Sequence, residues 1–201
     1  MGRPRSHELP SGAAREQLRE KGQFWTPDWV AEAMVEYVIA ERTDEIFDPA
    51  VGAGAFLRAA KKIAAEKGRH LTLAGTELDP AALEQAIESG LTEHDLANVT
   101  IGDFIFMPPQ RKLSAIVANP PYIRHHRISA SRKESLRLMT LQITKSTLDG
   151  RAGLHVYFLI RALSLLEDEG RLAFIMPADT CEGKFAGKLW RWITANHALD
   201  A

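Results

Sequence analysis

The sequence predicts an α/β fold, a mainly parallel twisted sheet flanked by helices. Short apolar runs recur along the chain, and most are followed by a polar loop and then by a helical pattern, which is the order of βαβ units. The loop after the first run, VGAGA, consists of small residues and is typical of a nucleotide-binding unit. The sequence contains no internal repeat and no low-complexity segment that would indicate another architecture.

The composition fits one soluble domain of ordinary size. The chain has 201 residues, of which 45% are hydrophobic, and its formal net charge is −1, so overall charge does not identify a nucleic-acid-binding protein. The single cysteine excludes an internal disulfide framework and a thiolate metal cluster. No apolar run reaches the roughly 18 residues of a membrane span, and we expect a cytoplasmic protein with no membrane partner.

The chain divides into two predicted segments. Residues 1–21 predict an arm and a short charged helix, and residues 22–201 predict the α/β domain. Thr26, followed by proline and aspartate, predicts the N-cap of a helix. Phe24 either packs on this helix as a hydrophobic staple or lines a pocket together with Thr26, and the sequence leaves both interpretations open.

The first predicted strand, 45–48, runs into the loop Asp48-Pro49-Ala50-Val51-Gly52, and a helix over 57–67 follows. Gly52 allows the backbone to approach a ligand closely. The loop lacks the GxGxxG spacing of pyrophosphate-binding loops, and the Asp48 carboxylate would repel a phosphate but attract an ammonium or sulfonium centre. The loop therefore predicts a site for a zwitterionic ligand without phosphate.

The second predicted strand, 71–76, ends at an acidic residue. Glu77 lies where nucleoside-binding folds place the acid that binds the ribose hydroxyls. The following pair, Asp79-Pro80, already supplies the cap of the next helix, 81–90. We therefore expect Glu77 to be free for a ligand.

The third predicted strand, 98–101, is short and leads to Asp103 and Phe104. The Asp103 carboxylate is suited to accept a hydrogen bond from an adenine amino group. The Phe104 ring is suited to pack on the adenine ring. The tripeptide GDF is a weak signal alone, so this assignment depends on the neighbouring loops.

The fourth predicted strand, 113–118, ends at Asn119-Pro120-Pro121-Tyr122. Two consecutive prolines fix two φ angles at about −65° and make a stiff corner. The Asn119 amide oxygen and the Pro120 carbonyl can accept hydrogen bonds from an amino group whose lone pair is delocalised, which favours the pyramidal geometry of methyl transfer. Tyr122 would stack on the substrate ring. The alternative is that the motif only ends a strand.

A dense basic segment follows this corner. Its cations are Arg124, Arg127, Arg132, Lys133 and Arg137. Its position predicts contacts with phosphates, although charge runs usually form a solvated surface. Two adjacent histidines in the segment lack the spacing of metal ligands, and we predict no metal site. The remaining predicted elements are a helix over 155–166, a strand over 171–176 and a helix over 185–193.

Taken in order, these signals resemble the class I, S-adenosylmethionine-dependent N6-adenine DNA methyltransferases of the TaqI and Eco57I types. The resemblance rests on GQFWTP, DPAVGAGAF and NPPYI, and runs from about Gly22 to the end of the chain. It implies a Rossmann-like class I methyltransferase fold, S-adenosyl-L-methionine as the cofactor and double-stranded DNA as the partner. The implied reaction is methylation of the N6 amino group of adenine by base flipping, as part of a restriction-modification system.

The resemblance also implies a role for each loop. The catalytic residues would be Asn119, Pro120, Pro121 and Tyr122. The cofactor-binding residues would be Phe24, Thr26, Asp48, Pro49, Ala50, Val51, Gly52, Glu77, Leu78, Asp103, Phe104, Asn119 and Pro121. The substrate-binding residues would be Tyr122, stacked on the flipped base, together with Arg124 and Arg127 on the DNA.

Members of this group continue with a further strand pair, an aromatic residue for the other face of the base, and a target-recognition domain. The sequence predicts none of these. We therefore expect 22–201 to be a catalytic domain with its carboxy-terminal strand pair missing, either as part of a longer protein or as a split enzyme. The recognition part would be a domain or subunit supplied elsewhere.

Two other functions stay open at this point. The same Asn-Pro-Pro-Tyr motif occurs in methyltransferases of a glutamine side chain in release factors and of guanine amino groups in ribosomal RNA. The segment Phe24-Trp25-Thr26-Pro27 before the glycine loop favours the DNA group. The other alternative is a truncated module that binds the cofactor without turnover.

Overall fold

The computed structural model describes residues 25–200. Its strands are β1 (Glu45–Asp48), β2 (Thr72–Glu77), β3 (Asn98–Ile101), β4 (Leu113–Ala118) and β5 (Leu166–Phe174). They form a five-stranded sheet in the order β3-β2-β1-β4-β5, and all four neighbouring pairs are parallel. The predicted α/β class with a parallel sheet is confirmed.

Seven α-helices in the described residues surround the sheet. They are α1 (Asp28–Val38), α2 (Ala55–Glu66), α3 (Pro80–Glu88), α4 (Ala130–Thr144), α5 (Leu154–Leu165), α6 (Asp179–Glu182) and α7 (Ala186–Asn196), with a 3-10 turn at His125–Arg127. Within residues 25–200, none of the helices has the length and apolar character needed to cross a membrane. The predicted arm and short helix lie outside the described residues, and the domain division after residue 21 stays a prediction.

Both faces of the sheet are covered. Phe47 and Ile116 belong to one hydrophobic cluster, which includes residues of α4, α5 and α7. Their neighbours Ile46 and Val117 belong to a second cluster, which includes residues of α1 and α2. Because successive side chains of a strand point to opposite faces, a strand covered on both sides is apolar throughout. This explains the uninterrupted apolar runs in the sequence.

The strand order places a topological switch point between β1 and β4. From β1 the chain continues to β2 and β3 on one side, whereas from β4 it continues to β5 on the other side. A crevice opens at the carboxyl ends of two neighbouring strands whose connections leave in opposite directions. Asp48 ends β1 and Asn119 directly follows β4. The predicted cofactor loop and the Asn-Pro-Pro-Tyr corner therefore border the same crevice.

The largest differences from the sequence prediction lie in β5 and in the basic segment. β5 begins at Leu166 instead of residue 171, and its pairing with β4 contains a register shift between Leu113 and Ala115. Glu169 has a positive φ of 63°, which marks an irregular stretch within β5. The basic segment also contains a helix, α4, whose N-cap Ser129 accepts a hydrogen bond from a backbone N–H of the first turn.

Candidate active site

Asp48 is fully buried at the end of β1. Its Oδ1 accepts a hydrogen bond from the Ala50 N–H at 2.9 Å, whereas its Oδ2 has no partner among the described residues. Burial raises the pKa of Asp48 to about 8, and the nearby Glu77 charge adds to this effect. At neutral pH the group is therefore mostly protonated unless a cation lies beside it.

Glu77, at the end of β2, holds the glycine loop in place. Its Oε2 accepts the Gly52 N–H at 2.7 Å, and its Oε1 accepts the N–H groups of Leu78 and Asp79, both at 2.8 Å. This carboxylate is less free for a ligand than the sequence suggests, because both of its oxygens already accept backbone N–H groups. The prediction that Asp79 caps the next helix is confirmed, since its side chain accepts the Ala81 N–H.

β1 and β2 approach each other very closely beside this loop. A Cβ atom on Gly75 of β2 would lie 2.5 Å from the Asp48 carbonyl oxygen and 2.5 Å from Val51 Cγ2. Real Cβ atoms do not make contacts this short, so only glycine fits at this position without displacing the loop. Gly52 itself has a φ of 52°, a left-handed conformation that glycine adopts without strain.

The Asn119 amide is oriented by two side chains from other parts of the chain. Its Nδ2 donates to Thr26 Oγ1 at 3.1 Å, and its Oδ1 accepts the Tyr122 hydroxyl at 2.6 Å. Thr26 is not the N-cap that the sequence predicts. That position is held by Pro27 without a side-chain bond, and the Thr26 hydroxyl lies 95% buried against Asn119 instead.

Tyr122 turns back into the crevice. Its hydroxyl lies 2.6 Å from Asn119 Oδ1 and 2.9 Å from the Ile175 carbonyl oxygen. Burial raises the pKa of Tyr122 to about 12, so the phenol keeps its proton and acts as a hydrogen-bond donor. The hydroxyl thus occupies the acceptor that the sequence predicts for a substrate amino group. Pro120 is buried and Pro121 is half-buried in the same corner.

The loop after β3 departs most from the sequence prediction. Phe104 is 1% exposed, and its ring lies between Phe47 and Phe158, with centroid distances of 5.9 and 5.6 Å. Phe104 is therefore a core residue in this structure and offers no face to an adenine ring. Asp103 is more accessible, with its side chain 19% exposed. Its Oδ1 accepts the Ile105 N–H at 3.1 Å.

The second oxygen of Asp103 is bound by a cation of the basic segment. Arg132 Nη2 lies 2.7 Å from Asp103 Oδ2, and its guanidinium carbon lies 5.4 Å from the centre of the Phe106 ring. The sequence pattern places Arg132 on a nucleic-acid-facing surface and gives no sign of this pair, because its two members are 29 residues apart. The pair joins helix α4 to the predicted adenine-binding loop.

Of the remaining predicted residues, Pro49 and Val51 are buried in the loop after β1, and three others lie on the surface. Leu78, next to Glu77, is 66% exposed, and Arg124 and Arg127 are also exposed. Arg137 forms an ion pair with Glu134 of its own helix. Among residues 25–200, no group of three or more histidine, cysteine, aspartate or glutamate side chains could hold a metal ion. Phe24 lies outside the described residues.

Comparisons with known proteins identify a family and its relatives. A model of the N-6 DNA methylase family matches residues 9–199. Type II methyltransferase M.AccI of Acinetobacter calcoaceticus is 26% identical over 87% of this chain, and M.XamI of Xanthomonas campestris pv. amaranthicola is 29% identical over 85%. The matched parts are 31% and 32% of those two proteins, so this chain spans about a third of their length.

The fold also matches a solved structure. A Listeria monocytogenes protein described as a class I S-adenosylmethionine-dependent methyltransferase superposes with a TM-score of 0.64 at 16% identity. The match covers 84% of this chain and 50% of the other. At this level of identity the likeness concerns the fold alone, which is the class I methyltransferase fold that the sequence predicts.

Proposed function

The chain belongs to the N-6 DNA methylase family, and we propose on this basis that it transfers a methyl group from S-adenosyl-L-methionine to the N6 amino group of adenine in DNA. The observation that carries the proposal is the Asn119 amide, held by Thr26 and Tyr122 at the switch point beside the Asp48 loop. An oriented amide oxygen at this position suits an amino group that must lose its planarity, and no strong base is needed.

The residues around Asp48 fit a cationic cofactor. When bound, S-adenosylmethionine supplies a methyl group on a positively charged sulfonium, and it also carries an ammonium group. The unpartnered Oδ2 of Asp48 is a buried acceptor next to the glycine loop, and a cation beside it would favour its ionised form. We propose that Asp48 and the neighbouring loop, Pro49 to Gly52, hold the charged end of the cofactor.

Glu77 keeps one acceptor position for a ribose hydroxyl. A carboxylate has about four lone-pair positions, and three backbone N–H groups use three of them. The same three bonds fix the carboxylate before a ligand arrives. We propose that Glu77 both builds the loop and binds the ribose, with exposed Leu78 beside the adenine.

The base side of the crevice allows an exchange of hydrogen bonds. An amino N–H can take the place of the Tyr122 hydroxyl at Asn119 Oδ1, because the Ile175 carbonyl at 2.9 Å can keep that hydroxyl satisfied. Because no buried group is left unpaired, the exchange costs little. The Tyr122 ring, still held through the Ile175 carbonyl, could then pack on a base that has left the duplex.

The DNA partner would meet the surface next to this corner. Arg124 and Arg127 follow Tyr122 and are exposed, which suits contacts with the phosphates of a distorted duplex. Sequence recognition would come from a further domain or subunit, within a restriction-modification system. Because a DNA substrate lies inside the cell, we also propose a cytoplasmic location.

The test is a methyl-transfer assay with S-adenosylmethionine labelled in the methyl group. Duplex DNA is the expected acceptor, and digestion to nucleosides should place the label in N6-methyladenine. Asn119→Ala should slow the transfer by about 100- to 1000-fold, whereas Asn196→Ala, at an exposed position of α7, should leave it unchanged. Label in RNA or in protein, but not in DNA, would overturn the proposal. Calorimetric binding of the cofactor without transfer to any acceptor would indicate a binding module.

A further inference from the structure

His155 is a buried titratable residue that the proposed reaction does not use. It lies in the first turn of α5 and is 4% exposed. Neither of its ring nitrogens has a hydrogen-bond partner among the described residues. Buried polar side-chain atoms nearly always have a partner, so an imidazole with two unpartnered nitrogens calls for an explanation. Its sequence neighbours are mostly apolar and give no hint of a functional role.

The imidazole packs against the aromatic ring of the Asn-Pro-Pro-Tyr corner. The centroids of His155 and Tyr122 are 5.7 Å apart, and the rings meet edge to face at 70°. A Cβ on Gly153 would lie 2.6 Å from His155 Cε1, so the backbone closes tightly over the imidazole. Since Tyr122 binds Asn119, His155 is one contact away from the amide that defines the site.

An acidic side chain lies on the other side of the imidazole. Asp179 Oδ1 of α6 is 3.7 Å from His155 Nε2, and the Asp179 side chain is 67% exposed. Burial lowers the pKa of His155, and the Asp179 charge partly opposes this effect. The titratable and charged groups that face the imidazole within residues 25–200 are thus Tyr122 from the loop after β4 and Asp179 from α6.

We propose that His155 is a positioning residue for Tyr122. The neutral imidazole keeps the tyrosine ring against the Asn119 amide. The protonated imidazole gains an ion pair with Asp179, moves toward it and loosens the tyrosine. The orientation of the aromatic ring that meets the substrate is then set by the protonation of a residue that touches neither the substrate nor the cofactor.

The first test needs neither cofactor nor substrate. The chain has three tyrosines, so ring-labelled tyrosine gives few NMR signals, and Tyr122→Phe identifies the relevant one. The Tyr122 signal should shift over the same acidic pH range in which the His155 imidazole signal titrates. Asp179→Asn removes the charge that favours the protonated imidazole, so both midpoints should move to lower pH. Asp179 is mostly exposed, and this variant is expected to fold.

Two further variants separate positioning from simple packing. His155→Phe should abolish the pH-dependent shift of the Tyr122 signal. The matched control is His197→Phe, at the carboxyl end of α7. His197 meets Trp192 in nearly the same edge-to-face geometry, with a centroid distance of 5.7 Å and an interplanar angle of 71°. That variant should leave the Tyr122 titration unchanged. A Tyr122 signal that stays constant while His155 titrates, or that titrates equally in His155→Phe, overturns the proposal.

A kinetic test, the pH dependence of kcat/KM, rests on the proposed function, and its failure can be distinguished from that of the NMR test. Wild-type kcat/KM for DNA should fall on the acidic side with the midpoint measured by NMR, and Asp179→Asn should move this limb to lower pH. The dissociation constant of the cofactor should not follow that midpoint, because His155 lies on the base side of the crevice. A cofactor affinity that follows the same midpoint would contradict a role specific to Tyr122.

Discussion

The two sides of the crevice are built with different kinds of hydrogen bonds. On the cofactor half, formed by the loops after β1 and β2, the carboxylates of Asp48 and Glu77 accept backbone N–H groups that lie one to 25 residues away. On the base half, Asn119 and Tyr122 bind one another, Thr26 and a carbonyl oxygen through their side chains. The bonds of the cofactor half fix the conformation of the backbone, whereas the bonds of the base half fix only the orientation of side chains.

This difference indicates which half can rearrange. Removing a carboxylate that holds several partly buried N–H groups takes away several charge-assisted hydrogen bonds at once, which is costly. The base half instead has alternative partners, such as the two acceptors of the Tyr122 hydroxyl, so single bonds can be exchanged with a substrate. We therefore expect changes in the cofactor half to affect folding, and changes in the base half to affect only the reaction.

Glu77→Ala should have the largest effect. It removes the charged acceptor of the partly buried N–H groups of Gly52, Leu78 and Asp79, and a hydrogen bond to a charged group contributes about 1.5–3 kcal/mol. We expect the free energy of unfolding in urea to fall by about 3 kcal/mol or more, with loss of cofactor binding. Glu36→Ala, which removes an exposed ion pair with Lys67, is the control and should change little.

Asn119→Ala should leave the stability of the fold nearly unchanged but slow the reaction strongly. Tyr122 keeps the Ile175 carbonyl as an acceptor, so the free energy of unfolding should change by less than about 1 kcal/mol. The rate of methyl transfer should fall by about 100- to 1000-fold, the usual effect of losing an oriented polar group. Thr26→Val should cause a smaller loss and Thr26→Ser almost none. An unfolded Asn119→Ala variant would remove the distinction between the two halves.

Asp48→Asn should change how stability depends on pH. The folded state holds a proton on Asp48 up to a pKa of about 8, whereas an unfolded aspartate loses it at about pH 4. The free energy of unfolding therefore falls as pH rises between these values. Asparagine keeps an oxygen for the Ala50 N–H and cannot ionise, so urea unfolding at pH 5 to 8 should show a flatter profile. Asp28→Asn, at an exposed position, should keep the wild-type slope.

Arg132→Gln should have the smallest effect. If the Asp103 carboxylate binds the cofactor adenine, the Arg132 guanidinium competes with that adenine for the carboxylate through a partly exposed ion pair. Such pairs contribute about 0–1 kcal/mol, so cofactor affinity measured by calorimetry should rise by at most about fivefold. Arg137→Gln, which breaks a pair within α4, should leave the affinity unchanged. A weaker affinity in Arg132→Gln would mean that the arginine itself binds the cofactor.

The sequence predicts best those features that depend on neighbouring residues. The bounds of β1, β3 and β4 agree with the structure, because breakers flank each apolar run. The predicted places of Asp48 and Asn119 at two strand ends are also those observed, since strand, loop and side chain are adjacent in the sequence. Helix α4 is missed because only three of its 15 residues are buried, and its charged surface reads as a loop.

Side-chain partners that are distant in the sequence could not be predicted. Thr26 has the sequence context of an N-cap, yet its hydroxyl binds an amide 93 residues away. Phe104 follows a candidate ligand acid, but packing between two other phenylalanines places it in the core. Local patterns report backbone conformation and burial, whereas the choice between two polar partners is made by the tertiary fold.

The close approach of the two central strands at Gly75 also has a genetic consequence. The residue touches no proposed substrate, yet one added methyl group would have to displace the Asp48 carbonyl and the Val51 side chain. Gly75→Ala is therefore a rational choice for a conditional allele, whose product works at low temperature and fails when warmed. If the proposed methylation protects the DNA of a host, such an allele would allow the withdrawal of protection to be timed by a change of temperature.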